Sequence, residues 1–337
     1  MNKLKILSIN GGGIKGIYTL YFLFALEEKY CKEGEVLADY FDLICATSTG
    51  ALITLCLTLR MKVKNIIDIY EKNANLIFPD NNHNWITKSF YKILRSVYQI
   101  DGCKYDINAL TKLCDELLKD KTTDDINNAI CIPSYCVLTN KNIVFKSNNN
   151  QVPYKLSEIV LAGTAAPTYF PIHKTIRHTD GIELENYCID GGIWANNPIM
   201  IGITEALDKY VGENKSYNSY DILSVGNISE IYEPESINVN AYWNIYNIPL
   251  LIGTIMNSNE QAVIKYANTI TKYTNSKITY IDGTKDISNK NDINLDNTNK
   301  NIMEKLAIFG YDKGEEVINN TTINIYRFFH NKKTLIP

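Results

Sequence analysis

The stretch KLKILSINGGGIKGIYTLYFLFALEEKY, near the N-terminus, narrows the choice of fold more than any other part of the chain. An apolar run of strand length, Lys3 to Ile9, breaks into four glycines within six residues, Gly11, Gly12, Gly13 and Gly16. It resumes as an apolar run of helical length. Strand, glycine loop and helix in that order bring a row of backbone N–H groups to a strand end, where they hold either a phosphate or an oxyanion. The pattern then repeats, with FDLICAT reading as a second strand and TGALITLCLTLR as a second helix. Such repetition predicts an α/β fold around a parallel sheet. Later strands are expected at AICIPSYCVLT, NIVFKS, ENYCID and DILSVGN, and helices at KLSEIVLAGTAA, PIMIGITEALDKY, NEQAVIKYANTITKY and NIMEKLAIFGYDKGEEVI.

The chain of 337 residues, 45% hydrophobic, has no internal repeat and no clean linker, so one domain with a large core is expected. Residues 61–105 read as an insertion without a clear strand, and KDISNKNDINLDNTNKN as an exposed polar loop. A net charge of −3, with lysines spread along the chain, provides no field for a nucleic-acid polymer. The longest apolar stretches, ALITLCLTLR and IPLLIGTIM, fall short of the ~20 residues a bilayer needs, and no signal-peptide pattern opens the chain. A cytoplasmic protein, peripheral on membranes, is expected. Its eight cysteines form no C-x-x-C pair and read as buried reduced thiols.

Phosphate and oxyanion make different demands on the rest of the sequence. Gly11, Gly13 and Gly16 fit the dinucleotide fingerprint, which also needs a carboxylate at the end of the second strand. That strand runs instead into Ala46-Thr47-Ser48-Thr49-Gly50. A P-loop needs lysine and then Ser or Thr where Ile17 and Tyr18 stand. The residue at the strand end is a serine in a sharp turn between small neighbours, the nucleophile-elbow arrangement, with the positive end of a helix aimed at it. Further on, ENYCIDGGIWANNP ends a strand with Asp190-Gly191-Gly192, a turn that points a carboxylate at the edge where parallel strands end. Taken singly, Ser48 also reads as a helix cap and Asp190 as part of an ordinary turn.

With NGGGIKG, ATSTG and DGG in that order, joined by AGTAAPTYFPI, ANNP and DILSVGN, the sequence resembles the patatin-like phospholipase family over roughly residues 1–230. The resemblance implies a three-layer α/β/α fold with a mostly parallel sheet. It divides the chain into a catalytic core, 1–230, with a lid-like insertion at 61–105, and an extension, 231–337, packed on the same domain. It implies a Ser–Asp dyad in which Ser48 attacks an ester and Asp190 takes its proton. Gly11, Gly12, Gly13 and Lys15 would form the oxyanion loop, and Ala46, Gly50, Gly191 and Gly192 would support the turns. None of the four histidines, His83, His173, His178 and His330, lies in a strand-end motif; His173, close to TYFP, is the nearest candidate for a base. Two departures stand out: Asn10 where the family usually has aspartate, and Ala46 where it has glycine. The implied substrate is a phospholipid or related glycerolipid at a membrane surface, with no cofactor and no metal. Compact bacterial effectors of this family are switched on by cyclic nucleotides, which implies a small-molecule activator; a homodimer is also expected. A soluble ester or thioester hydrolase and a catalytically silent lipid-binding protein stay open as alternatives.

Overall fold

Strand β1, Lys3–Ile9, is buried on both faces after its first residue, as befits the middle of a sheet covered on both sides. The computed structural model describes residues 2–79, 103–147, 153–179, 182–228, 248–283 and 295–335. Parallel partners flank β1: β2 (Leu43–Ala46), with Ile9 opposite Ala46, and β7 (Ser219–Val225), with Ile9 opposite Val225. Strand β8 (Lys277–Ile281) extends the parallel set beyond β7, and β3 (Ala129–Cys136) extends it beyond β2. Strands β4 (Lys141–Lys146), β5 (His173–Thr179) and β6 (Ile182–Asp190) form an antiparallel wing around β3. The expected mostly parallel sheet is therefore present, with β5 and β8 added to the strands read from sequence.

The register of β3 decides where the site lies. Cys131 is opposite both Cys45 of β2 and Lys146 of β4, and Ser134 is opposite both Ile143 of β4 and Asp190 of β6. A strand has only two edges, so β2 and β6 share the edge of β3 that β4 leaves open. They approach along it from opposite ends, and their C-terminal residues, Ala46 and Asp190, meet.

Helices cover both faces, giving three layers. One face packs against α1 (Gly16–Tyr30), α2 (Thr49–Thr58), α3 (Val63–Ile77), α4 (Asn108–Leu118) and α5 (Leu156–Gly163). After the short α6 (Gly192–Ala195), helices α7 (Ile199–Glu205) and α8 (Ile248–Tyr273) cover the other face. Helix α9 (Lys300–Asn319) lies along α1, and the final turn α10 (Tyr326–Phe329) inserts Phe328 and Phe329 into the first core. Within the stretch read as an insertion, α3 buries Val63, Ile66, Ile67, Tyr70 and Ala74, the three-and-four spacing of a core-facing helix. Residues 80–102, where most of the expected lid falls, lie outside the described residues, as does His83.

Candidate active site

The glycine loop leaves β1 held by several partners. Asn10 donates its N–H to the Val225 carbonyl (3.1 Å) and Gly11 donates to the Asn196 carbonyl (3.1 Å). The side-chain amide of Asn227 donates to the Gly11 carbonyl. Gly13 has φ +55°, a conformation that glycine adopts without a Cβ clash, and begins a 3-10 turn through Lys15. The Tyr70 hydroxyl on α3 donates to the Gly13 carbonyl (2.5 Å), while Ile14 donates to the Leu295 carbonyl (2.8 Å). Among the described residues, the N–H groups of Gly12 and Gly13 take no hydrogen-bond acceptor, whereas that of Gly11 is committed to Asn196. Lys15 is buried, and its ammonium donates to the Ile228 carbonyl (3.1 Å), which secures the loop from beneath.

Ser48 follows β2 in a conformation that few non-glycine residues adopt, φ 54° and ψ −130°. Such backbone costs on the order of 1–3 kcal/mol and persists only where its neighbours impose it. Thr47 imposes it here: its N–H donates to the Ile9 carbonyl (3.1 Å) and its hydroxyl to the Ala195 carbonyl (2.6 Å). Helix α2 then begins at once, with Gly50 donating to Thr47 and Ala51 to Ser48. Ala46 and Gly50 face each other at this turn; a Cβ on Gly50 would stand 3.3 Å from that of Ala46 and 3.0 Å from Ile9 Cγ2. A Cβ on Gly11 would stand 2.9 Å from the Cβ of Ser48, so the loop and the serine touch.

Asp190 is fully buried. Its N–H donates to the Ala165 carbonyl (2.9 Å), and its Oδ1 accepts the Gly192 N–H (2.7 Å). Burial raises its carboxyl to about 6, against the lowering pull of the Ser48 hydroxyl and the Gly192 amide. The Ser48 hydroxyl is thus close enough to act on the carboxylate, although Oδ2 lacks a regular hydrogen bond. Gly191 lies against β3, where a Cβ would come within 2.4 Å of the Pro133 carbonyl oxygen, and one on Gly192 within 2.5 Å of Met256 Cε.

Ser48 and Asp190 open on a pocket whose walls are mainly apolar: Leu52, Ala74, Ile77, Phe78, Leu110, Leu113, Tyr169, Phe170, Met256 and Leu295. Among the described residues, no histidine lines it. His173 on β5 pairs instead with Glu158 (3.0 Å), and His330 lies near Tyr326 at the far end of the chain. Tyr70, Met256 and Leu295 carry no motif and emerge only in the fold. The stretches AGTAAPTYF, ANNP and DILSVGN prove to bear specific contacts, through Ala165, Asn196 and Asn227 respectively.

A strained serine, a buried aspartate and a glycine loop thus meet at one edge of the sheet in a three-layer fold, the arrangement that the resemblance to the patatin-like family implies. The chain belongs to that family: the family described as patatin-like phospholipase matches residues 7–203, from β1 into α7. It is 32% identical to a cGAMP-activated phospholipase of Vibrio cholerae over 68% of this chain and 66% of that protein. It is 30% identical to a cGAMP-activated phospholipase of Escherichia coli, over 68% and 64%, and 34% identical to patatin-like protein 3 of Arabidopsis thaliana, over 62% and 53%. The match therefore spans just under two thirds of the two bacterial relatives. Among the described residues, no helix is long and apolar enough to cross a membrane.

Proposed function

We propose that this chain hydrolyses fatty-acyl esters of phospholipids at a membrane surface, with Ser48 as nucleophile, Asp190 as its base and the Gly12 and Gly13 amides as the oxyanion hole. The observation that carries this reading is Ser48, held at φ 54° beside a fully buried carboxylate at the end of an apolar pocket. Ser48 Oγ attacks the ester carbonyl carbon and its proton passes to Asp190. The negative charge that forms on the carbonyl oxygen meets the two unengaged amides, each worth ~10²–10³ in turnover in such sites. Collapse expels the lysolipid alcohol, which recovers the proton from Asp190. A water molecule then surrenders a proton to the same carboxylate and cleaves the acyl-enzyme, releasing the fatty acid and restoring Ser48.

A carboxyl at about 6 is mostly ionised at neutral pH and accepts a proton better than a free aspartate of pKa ~3.9. The apolar walls suit an acyl chain, and the names of the two bacterial relatives support both a phospholipid substrate and activation by cGAMP. The test is fatty-acid release from phospholipid vesicles, with and without cGAMP, by wild type, Ser48→Ala and Asp190→Asn. Wild type releases fatty acid, more so with cGAMP, and each variant loses roughly 10⁴-fold or more. Cleavage of water-soluble esters but not vesicles would replace this reading with a soluble hydrolase; lipid binding without release would replace it with a lipid carrier.

A further inference from the structure

The structure brings a carboxylate to the side chain of Asn10, at the end of β1, from 250 residues away. Glu260 on α8 accepts a hydrogen bond from the Asn10 side-chain amide on Oε1, and the Tyr280 hydroxyl of β8 donates to the same oxygen (2.8 Å). Met256, four residues earlier on α8, lies on the same helical face, and Asn259 adjoins Glu260 on the next side of the helix. Met256 packs at Gly192, and Asn259 donates to the Trp194 carbonyl (2.8 Å). One face of α8 thus touches the end of β1 and the turn after Asp190.

We propose that Glu260 is a positioning residue for the oxyanion loop, acting through Asn10, and that its carboxylate is the reason position 10 holds asparagine. This rests on the acyl-hydrolase reading above. Asn10 is the last residue before Gly11, held by its backbone to Val225 and by its side chain to Glu260, so the two bonds together fix the direction in which Gly11 to Gly13 leave the sheet. A neutral amide donor satisfies Glu260 with a charge-assisted hydrogen bond. An aspartate at position 10 would set two carboxylates together, which cannot both ionise, and the loop would shift or one group would take up a proton. Burial already raises the Glu260 carboxyl, so the site has little capacity for a second negative charge.

The experiment is a cycle of four proteins, wild type, Asn10→Asp, Glu260→Gln and the double variant, with kcat and KM for fatty-acid release in the presence of cGAMP and thermal unfolding of each. Asn10→Asp lowers kcat on the order of 10²-fold at nearly unchanged KM, because the acyl pocket is intact while the loop is misplaced. Glu260→Gln keeps an acceptor for Asn10 and Tyr280 and stays within about threefold of wild type. The double variant pairs the new carboxylate with an amide donor and recovers to within about threefold. Wild-type kcat in Asn10→Asp, or a double variant no better than Asn10→Asp, would overturn the proposal. If Asn10→Asp fails to fold, recovery of both folding and activity in the double variant supports the pairing and continued failure overturns it. A wild type silent on lipid while the stability cycle still shows rescue sinks the acyl-hydrolase reading alone; additive losses in an active wild type sink only the pairing.

Discussion

β2 and β6 lie along the same edge of β3, yet they come to it from opposite directions. On the parallel side, Ser48 occupies the end of a strand that feeds a helix, and β1 alongside places the glycine loop at the same level. That arrangement follows from chain direction alone: parallel strands end together, and loops and helix starts gather there. On the antiparallel side, Asp190 arrives because β3 runs past the end of β2 and offers β6 a place to pair, with Asp190 opposite Ser134. The serine is thus placed by topology and the aspartate by register. A parallel strand ending at Asp190 would have needed a position of its own in the sheet; the antiparallel one meets β2 almost end to end. Register is the more fragile device, since a slip of one residue turns every side chain to the other face.

The largest effect expected from this contrast is at Gly191. Alanine there brings a Cβ within 2.4 Å of the Pro133 carbonyl oxygen, a backbone atom with no freedom to swing aside. The end of β6 must lift, carrying Asp190 with it, and kcat for lipid hydrolysis falls roughly 10²–10³-fold. Gly11→Ala strikes the parallel side, against Asn196 Oδ1 at 2.8 Å, which can swing aside, and Ser48 Cβ at 2.9 Å, which shifts only slightly with its turn, so the loss is about 10–10²-fold. Equal losses in steady-state kinetics would mean that register is no weaker than topology here.

A second test sets stability against activity at Asp190. Its carboxyl rises to about 6 in the folded protein from an ordinary 3.8, so the native state binds its proton more tightly than the unfolded chain does. The group costs nothing below about pH 4, and stability is lost as pH rises through 6, by on the order of 3 kcal/mol. Asp190→Asn should therefore match wild type in thermal unfolding at pH 4 and exceed it above pH 7, while losing activity at every pH. Wild-type kcat should fall on the acid side of about pH 6, as the base takes up its proton. An equal melting difference at both pH values would break this account. The smallest effect is at His173, whose partner is the partly exposed Glu158. His173→Ala should leave kcat within about twofold and stability within about 1 kcal/mol, and a larger loss of rate would reopen the search for a third catalytic group.

What sequence made legible divides along the same line. The first two strands, their helices and the two loops between them follow from apolar runs broken by glycine or by small residues, all within the first 60 residues. The end of β6 was legible as a turn, but its antiparallel approach was not, because pairing with Ser134 depends on a strand some 50 residues earlier. β5, HKTIRHT, lacks an apolar run, and β8 spans only five residues, so neither shows a strand pattern of its own. The helical spacing of α3 is present in Val63, Ile66, Ile67, Tyr70 and Ala74, but the aromatic residues that follow obscure it. Tyr70, Glu260 and Leu295 reach the glycine loop across long separations, and no local pattern marks a residue whose only role is to meet a distant backbone.

The Leu295 carbonyl that receives the Ile14 N–H belongs to a short strap, held in turn by Thr298 on the Phe78 carbonyl and by Tyr105 on Asp296. This gives the site an order of assembly during translation. The glycine loop and Ser48 are synthesised before Asp190, the supports at Asn227, Ile228 and Glu260 follow, and the Leu295 carbonyl is added after them. A nascent chain therefore carries Ser48 before Asp190 exists to meet it and the glycine loop before its strap, and the arrangement described above forms only after residue 295 has been made.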